Sequence, residues 1–129
     1  MNRHAPTDRP TRVLLVDDHH TVLWGLARLV QGEAPRLNLV GIATDAEQAL
    51  HAAREREPDV VLLDGRLGAE PGLLDALRAI GPRVVVLVSS TAAAQPRRAD
   101  AVLPKAGPAA RILAAIDSLA TSRRSTRAH

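Results

Sequence analysis

Five short apolar segments recur along the chain and predict its strands. Residues 13–16, 60–63 and 84–88 are continuous apolar runs rich in valine, with no alternating polar positions. Runs of this kind are typical of strands that are buried on both faces of a parallel sheet. Weaker strands are indicated at 37–42 and at 101–103, and a proline ends the second of them. The pattern therefore predicts a central sheet of five strands.

Between these segments the apolar residues recur at helical spacing. Each of four stretches carries a single apolar stripe, so each predicts a helix with one face to bury. The four stripes are Val22, Leu23, Leu26, Leu29 and Val30; Ala46, Ala49, Leu50 and Ala53; Leu73, Leu74, Leu77 and Ile80; and Ile112, Leu113, Ile116, Leu119 and Ala120. Alternating strands and helices predict an α/β fold, with right-handed crossovers that place helices on both faces of the sheet.

The connection between the fourth and fifth strands interrupts this regular order. A doubly wound sheet would have its fourth crossover helix within residues 89–100, but Pro96 lies in the middle of that stretch. A proline removes a helical hydrogen bond and clashes with the preceding turn. Only about one or two helical turns, at ~3.6 residues each, fit beside it. We therefore expect a shortened or missing fourth helix.

Composition and charge are those of a globular protein with basic ends. The 129 residues are 46% apolar and 24% charged, and no run approaches the roughly 18 uncharged apolar residues of a membrane span. The net charge is +3, and the basic excess lies in the terminal segments. We expect a disordered arm at 1–11, one cytoplasmic domain at 12–120 and a flexible basic tail at 121–129. Trp24, the single aromatic residue, is expected to cover an edge of the core.

Charged residues stand at the carboxyl ends of three predicted strands. Asp17 and Asp18 follow the first strand, Asp64 follows the third, and Lys105, the only lysine, lies just after the fifth. In an open parallel sheet these ends form the ligand-binding edge, so the three carboxylates are expected to converge. Their mutual repulsion calls for a cation, and an all-oxygen ligand set favours Mg²⁺. A carboxylate nucleophile beside Mg²⁺ and a lysine is suited to accepting a phosphoryl group.

Each of these residues also has a purely structural interpretation. Asp18 is able to cap a helix that begins near His20, and Asp64, which precedes a glycine, is able to act only as a turn residue. Lys105 alone indicates little, and it is the combination that favours the functional interpretation. His19 and His20 are adjacent and would point in different directions on a helix, so we interpret both as surface or capping residues.

Four stretches of the sequence resemble the receiver domains of two-component response regulators, in particular those of the NarL/LuxR type. These stretches are residues 12–19, 24–26, 58–64 and, more loosely, 99–105. The resemblance extends over residues 12–120, and the first and third stretches are specific in combination. It implies a flavodoxin-like, doubly wound sheet of five parallel strands in the order 2-1-3-4-5.

The resemblance also implies a role for each residue of the carboxyl-end cluster. Asp64 would be the phosphoacceptor, and Asp17 and Asp18 would be the acidic pair that binds Mg²⁺ together with it. Arg66, two residues beyond Asp64, would contribute its backbone carbonyl to the metal ion. Lys105 would contact the phosphoryl group.

Two positions that relay phosphorylation in this family differ here. Receivers carry threonine or serine at the end of the fourth strand, where the hydroxyl moves to the phosphoryl group. Counting from Arg83 places Val88 there, whereas a shift of one residue brings in Ser89. The aromatic residue that receivers tend to carry three positions before the lysine is replaced by Val102. The phosphorylation site is therefore predicted to be complete, whereas the relay from it is not.

Three functions are compatible with these features. The leading hypothesis is a receiver that a sensor histidine kinase or phosphotransfer protein phosphorylates, and that signals to a downstream protein target or, as an option, as a homodimer. The alternative is a degenerate receiver, a protein-binding module that works without phosphorylation. A phosphatase with an aspartate nucleophile is a remote third, because it needs a second aspartate where Arg66 stands. No membrane contact is expected, and direct DNA binding is not expected because no helix-turn-helix domain fits after residue 121.

Overall fold

A sheet of five parallel strands forms the centre of the molecule. A computed structural model of the chain describes residues 9–89 and 98–127. The strands are β1 (Thr11–Val16), β2 (Leu37–Ala43), β3 (Val60–Asp64), β4 (Arg83–Val88) and β5 (Ala101–Pro104). They pair in the order β2-β1-β3-β4-β5, and each neighbouring pair is parallel. The predicted flavodoxin-like sheet with strand order 2-1-3-4-5 is confirmed.

Helices follow the strands in the order that the apolar stripes predict. Within the described residues they are α1 (His20–Gln31), α2 (Ala46–Arg56), the single turn α3 (Gly65–Gly68), α4 (Leu73–Ile80) and α5 (Ala109–Arg127). The four predicted stripes lie on α1, α2, α4 and α5. The predicted shortening or loss of the fourth crossover helix concerns residues 89–100, of which 90–97 lie outside the described part of the chain. No helix among the described residues is both long and apolar enough to cross a membrane.

Regular structure continues on both sides of residues 12–120. Helix α5 continues to Arg127, seven residues beyond the predicted domain. This stretch contains no glycine or proline, and its residues are able to extend a helix whose earlier turns are packed on the sheet. At the other end β1 begins at Thr11, whose N–H donates to the Arg36 carbonyl at 3.0 Å. Residues 1–8 of the predicted arm lie outside the described residues.

Helices cover the sheet on both faces, which explains why its strands lack polar alternation. Along β1, Leu14 and Val16 pack in a cluster with α2 and α4, whereas Val13 and Leu15 pack in a second cluster with α1 and α5. All four of these side chains are buried. Burying a side chain of this size contributes about 1.5–3 kcal/mol, so both faces of the sheet stabilise the fold.

Trp24 does not cover the edge of the core, and this prediction is wrong. The residue is 65% exposed on α1, whereas its neighbour Leu23 is buried. Successive helix positions are rotated by ~100°, and Trp24 is turned away from the side of α1 on which Leu23 is buried. Arg28, one turn further along α1, lies with its guanidinium carbon 5.0 Å from the centroid of the indole ring. The exposed indole therefore makes a cation–π contact with Arg28 of the same helix.

The register of the strands brings the candidate residues to one edge of the sheet. Strands β1 and β3 are paired in parallel, so Asp17 and Asp64 follow at the same end of neighbouring strands. Strands β4 and β5 are paired as far as Val88 and Pro104, and Lys105 directly follows Pro104. This edge is the carboxyl end of the sheet, where open parallel sheets bind their ligands.

Candidate functional site

Three aspartates meet at the carboxyl ends of β1 and β3, as the sequence predicts. Asp17 and Asp64 are only 1% and 2% exposed, whereas Asp18 lies at the surface. One oxygen of each aspartate and a ring nitrogen of His19 all lie within 4.8 Å of one another. Carboxylates at these separations repel each other unless a cation lies among them. The edge of the sheet is therefore an acidic cluster that needs compensating charge.

Hydrogen bonds to the backbone place Asp17 in this cluster. Its N–H donates to the Ala43 carbonyl at 3.1 Å, which continues the pairing of β1 with β2 one residue past the strand. Its Oδ1 accepts a hydrogen bond from the N–H of His19 at 2.9 Å. His19 holds the N-cap position of α1, and no side chain caps that helix. The interpretation of Asp18 as the helix cap is therefore wrong, and His19 and His20 are exposed, as expected.

Lys105 forms ion pairs with two of the three aspartates. Its Nζ lies 2.7 Å from Asp64 Oδ1 and 3.0 Å from Asp17 Oδ2. Its backbone N–H donates to the Val88 carbonyl at 2.9 Å, which holds the lysine against the end of β4. Burial by itself lowers the pKa of Lys105, but its hydrogen bonds to Asp64 and Asp17 and their charges outweigh burial and raise that pKa. The ammonium is therefore charged at neutral pH and neutralises part of the cluster.

The second oxygen of Asp64 has no donor of its own. Oδ2 is buried and accepts no hydrogen bond from the residues that the structure describes. Asp64 also precedes the single turn α3, but its side chain does not cap that turn. A buried carboxylate oxygen without a donor carries an energetic cost, and such atoms call for an explanation in terms of a ligand or a reaction. The interpretation of Asp64 as only a turn residue gives no such explanation.

The residues at this edge fit a small divalent cation. Carboxylate oxygens are the ligands that Mg²⁺ prefers, and Mg²⁺ usually keeps several water ligands beside one or two carboxylates. The buried oxygen of Asp64 is a donor of this chemical type, and the exposed carboxylate of Asp18 lies where an ion would remain open to water. The donor chemistry of Asp17, Asp18 and Asp64 is therefore that of a Mg²⁺ site.

The side chain of Arg66 also belongs to the cluster, which the sequence did not indicate. Its Nη2 donates to Asp18 Oδ1 at 2.6 Å and lies 2.8 Å from His19 Nδ1. Its Nε lies 3.6 Å from Asp64 Oδ2. The resemblance implies a role only for the backbone carbonyl of this residue. The sequence signal that could have indicated this contact is a long cationic side chain two residues after Asp64.

Comparison with known proteins identifies the family. Residues 13–116 match the family described as the response regulator receiver domain. The chain belongs to this family. The nitrate/nitrite response regulator protein NarL of Escherichia coli is 37% identical over 81 residues, which are 60% of this chain and 37% of that protein. Protein-glutamate methylesterase/protein-glutamine glutaminase 3 of Myxococcus xanthus is 40% identical over 86 residues, or 65% of this chain and 24% of that protein.

Solved structures of other receiver domains have the same fold. A two-component response regulator of the LuxR family from Aurantimonas is 29% identical, with a TM-score of 0.72 over 89% of this chain and 88% of that one. The signal receiver domain of an HD domain-containing protein from Pseudomonas fluorescens covers 100% of this chain and 99% of its own, with a TM-score of 0.80 and 24% identity. The chain spans 24% to 38% of the length of the first curated relatives that it matches.

The described residues at the end of β4 and in the middle of β5 are apolar. Val88 is the last residue of β4, and a Cβ added to Gly65 would lie 3.1 Å from Val88 Cγ1. Ser89 lies beyond the end of β4 and is exposed. Val102 is partly buried in β5. The side chain that lies beside Gly65, the residue after Asp64, is therefore that of Val88.

Proposed function

We propose that this receiver domain accepts a phosphoryl group on Asp64 from a sensor histidine kinase or a phosphotransfer protein, with Mg²⁺ as cofactor. The observation that carries the proposal is the state of the Asp64 carboxylate. Its Oδ1 is paired with Lys105 at 2.7 Å, whereas its buried Oδ2 accepts no hydrogen bond from the described residues. A carboxylate that is held through one oxygen and accepts no hydrogen bond at the other is oriented for attack as a nucleophile.

In the proposed reaction, an Asp64 oxygen attacks the phosphorus of a phosphohistidine. The P–N bond breaks as the P–O bond of the acyl phosphate forms, and the imidazole leaving group takes up a proton. Lys105 is close enough to Asp64 to pair with an oxygen of the transferred group. Asp17, Asp18, Asp64 and the backbone carbonyl of Arg66 would hold Mg²⁺, which supplies positive charge against the phosphoryl oxygens when it is bound.

Phosphorylation by a small donor tests this proposal without the kinase. After incubation with acetyl phosphate and Mg²⁺, intact-mass spectrometry is expected to show one added phosphate on the wild type and none on Asp64→Asn. Asp75→Asn is the matched control, because Asp75 is an exposed aspartate whose pair with Arg98, at 3.1 Å, belongs to another part of the surface. Labelling that persists in Asp64→Asn contradicts the assignment of the acceptor. Labelling that a chelator leaves unchanged contradicts the role of Mg²⁺.

A degenerate receiver is the second candidate, because Val88 ends β4 and Val102 stands in β5 where receivers tend to carry an aromatic residue. In that case the domain would bind its partner in one conformation, whether or not Asp64 carries a phosphoryl group. Beryllofluoride with Mg²⁺ mimics a phosphoryl group on the Asp64 carboxylate. Amide chemical shifts report how the domain responds to it. Shifts confined to the strand ends around Asp64 support this candidate. Shifts that extend along β4 and β5 contradict it and support a phosphorylation switch.

The proposed partners follow from the same assignment. They are the phosphate donor, a downstream protein target and, as an option, a second copy of the chain in a homodimer. We propose no membrane contact and no direct DNA contact for this domain. The chain spans only 24% of the Myxococcus methylesterase, so the enzymatic activity in the name of that relative is not proposed for it. Light scattering with and without beryllofluoride tests the homodimer, since a mass that stays monomeric in both states contradicts it.

A further inference from the structure

The Arg66 side chain connects two loops at the mouth of the acidic cluster. Its backbone follows β3, but its Nη2 reaches the loop after β1 and lies 2.6 Å from Asp18 Oδ1 and 2.8 Å from His19 Nδ1. The side chain is 58% exposed, so it is free to turn outwards into water. The contact is therefore a reversible one between a cation and the acidic edge.

Two cations divide the carboxylate oxygens between them. Lys105 pairs with Asp64 Oδ1 and Asp17 Oδ2 on the more buried side of the cluster. Arg66 pairs with the other Asp64 oxygen, at 3.6 Å from its Nε, and with Asp18 on the exposed side. Arg66 therefore contacts two of the carboxylate oxygens that Lys105 leaves for a metal ion. Because Mg²⁺ requires ligand oxygens at ~2.0–2.1 Å and carries its own waters, it and the guanidinium compete for the same space.

We propose that the Arg66 side chain is a built-in counter-cation that holds the acidic cluster in the absence of metal and competes with Mg²⁺ for it. Mg²⁺ then binds only when the guanidinium leaves Asp18, so its affinity is lower than the three carboxylates alone would give. This inference rests on the proposed Mg²⁺ site. It concerns only the side chain of Arg66, because any residue at this position retains the backbone carbonyl.

Direct titration of the metal site tests the proposal without any phosphorylation. Mn²⁺ binding followed by electron paramagnetic resonance, with Mg²⁺ as competitor, gives the affinity of the wild type, Arg66→Ala and Arg98→Ala. Arg66→Ala is expected to bind Mg²⁺ about three- to tenfold more tightly at low ionic strength, with a smaller gain at high salt. Arg98→Ala removes the same charge from an exposed pair with Asp75 and should leave the affinity unchanged.

A second readout follows the guanidinium itself. The Nε–H signal of Arg66 is assigned by its absence from Arg66→Ala, and it should move when the wild type is saturated with Mg²⁺. Equal Mg²⁺ affinities for wild type and Arg66→Ala, or an Nε–H signal that Mg²⁺ leaves in place, overturn the competition while the proposed function stands. If neither protein binds Mg²⁺ or Mn²⁺, both the proposed Mg²⁺ site and this inference are wrong.

Discussion

Replacing Lys105 by methionine tests how strongly the acidic cluster depends on its buried cation. The substitution removes the ammonium but keeps an unbranched side chain, and it leaves Asp17 and Asp64 buried without their nearest positive charge. Removing one partner of a buried ion pair costs about 3–5 kcal/mol, because the remaining charge stays uncompensated. Lys105 is 16% exposed, and Arg66 Nε remains 3.6 Å from Asp64. We therefore expect a loss near the lower end, about 3 kcal/mol of unfolding free energy.

Urea unfolding in the presence of a chelator at pH 7 measures this loss. Arg98→Met is the matched control, because it breaks an exposed pair with Asp75 and should cost only about 0.2–1 kcal/mol. In the background of Asp64→Asn, the cost of Lys105→Met should be smaller, since one of the two carboxylates is then neutral. A loss no larger than that of the control, or an unchanged loss in the Asp64→Asn background, refutes the reasoning.

Four other predictions need only stability measurements. In metal-free buffer, the stability that Lys105 contributes is complete below pH 10.5. It is lost as the pH rises through the raised pKa of Lys105 in the folded state, and Lys105→Met should not show this loss. Since the chain has no tyrosine or cysteine, few other groups titrate there. Leu77→Ala should cost about 2–5 kcal/mol, because Leu77 is fully buried. Asp45→Ala should cost about 1 kcal/mol, since Asp45 accepts a hydrogen bond from Gln48 N at 2.8 Å and caps α2. Trp24→Ala should cost less than about 1 kcal/mol, because the indole is exposed.

Most of the fold was predictable because its sheet is buried on both faces. Alternating residues of β1, such as Leu14 and Leu15, pack against helices on opposite faces, so every position of the strand must be apolar. That requirement is visible in the sequence as an uninterrupted run. The end of α5 was not predictable in this way, since residues 121–127 are polar and their helix extends one that is packed elsewhere. The burial of Trp24 was predicted wrongly because it is rotated by ~100° around α1 from its buried neighbour Leu23.

The candidate site was predictable where it depends on strand ends and unpredictable where it depends on side-chain conformation. The convergence of Asp17, Asp64 and Lys105 follows from parallel pairing alone, since each comes at the carboxyl end of its strand. The end of β4 at Val88 required the strand register, and the choice between Val88 and Ser89 as the relay residue stays a prediction. The path of the Arg66 side chain depends on rotamers that carry no pattern in the sequence.

Lys105 links the acidic cluster to β4 and β5, where Val88 ends one strand and Val102 lies in the other. Its Nζ pairs with Asp64, and its backbone N–H donates to the carbonyl of Val88 at the end of β4. A phosphoryl group on Asp64 would change the charge beside this ammonium, and any movement of the lysine would act on a backbone hydrogen bond that joins β4 to β5. A relay position held by Val88 would therefore remove one route from the site to these strands but leave a second. For this reason the response of β4 and β5 to beryllofluoride, rather than the identity of residue 88, decides between a switch and a static binding module.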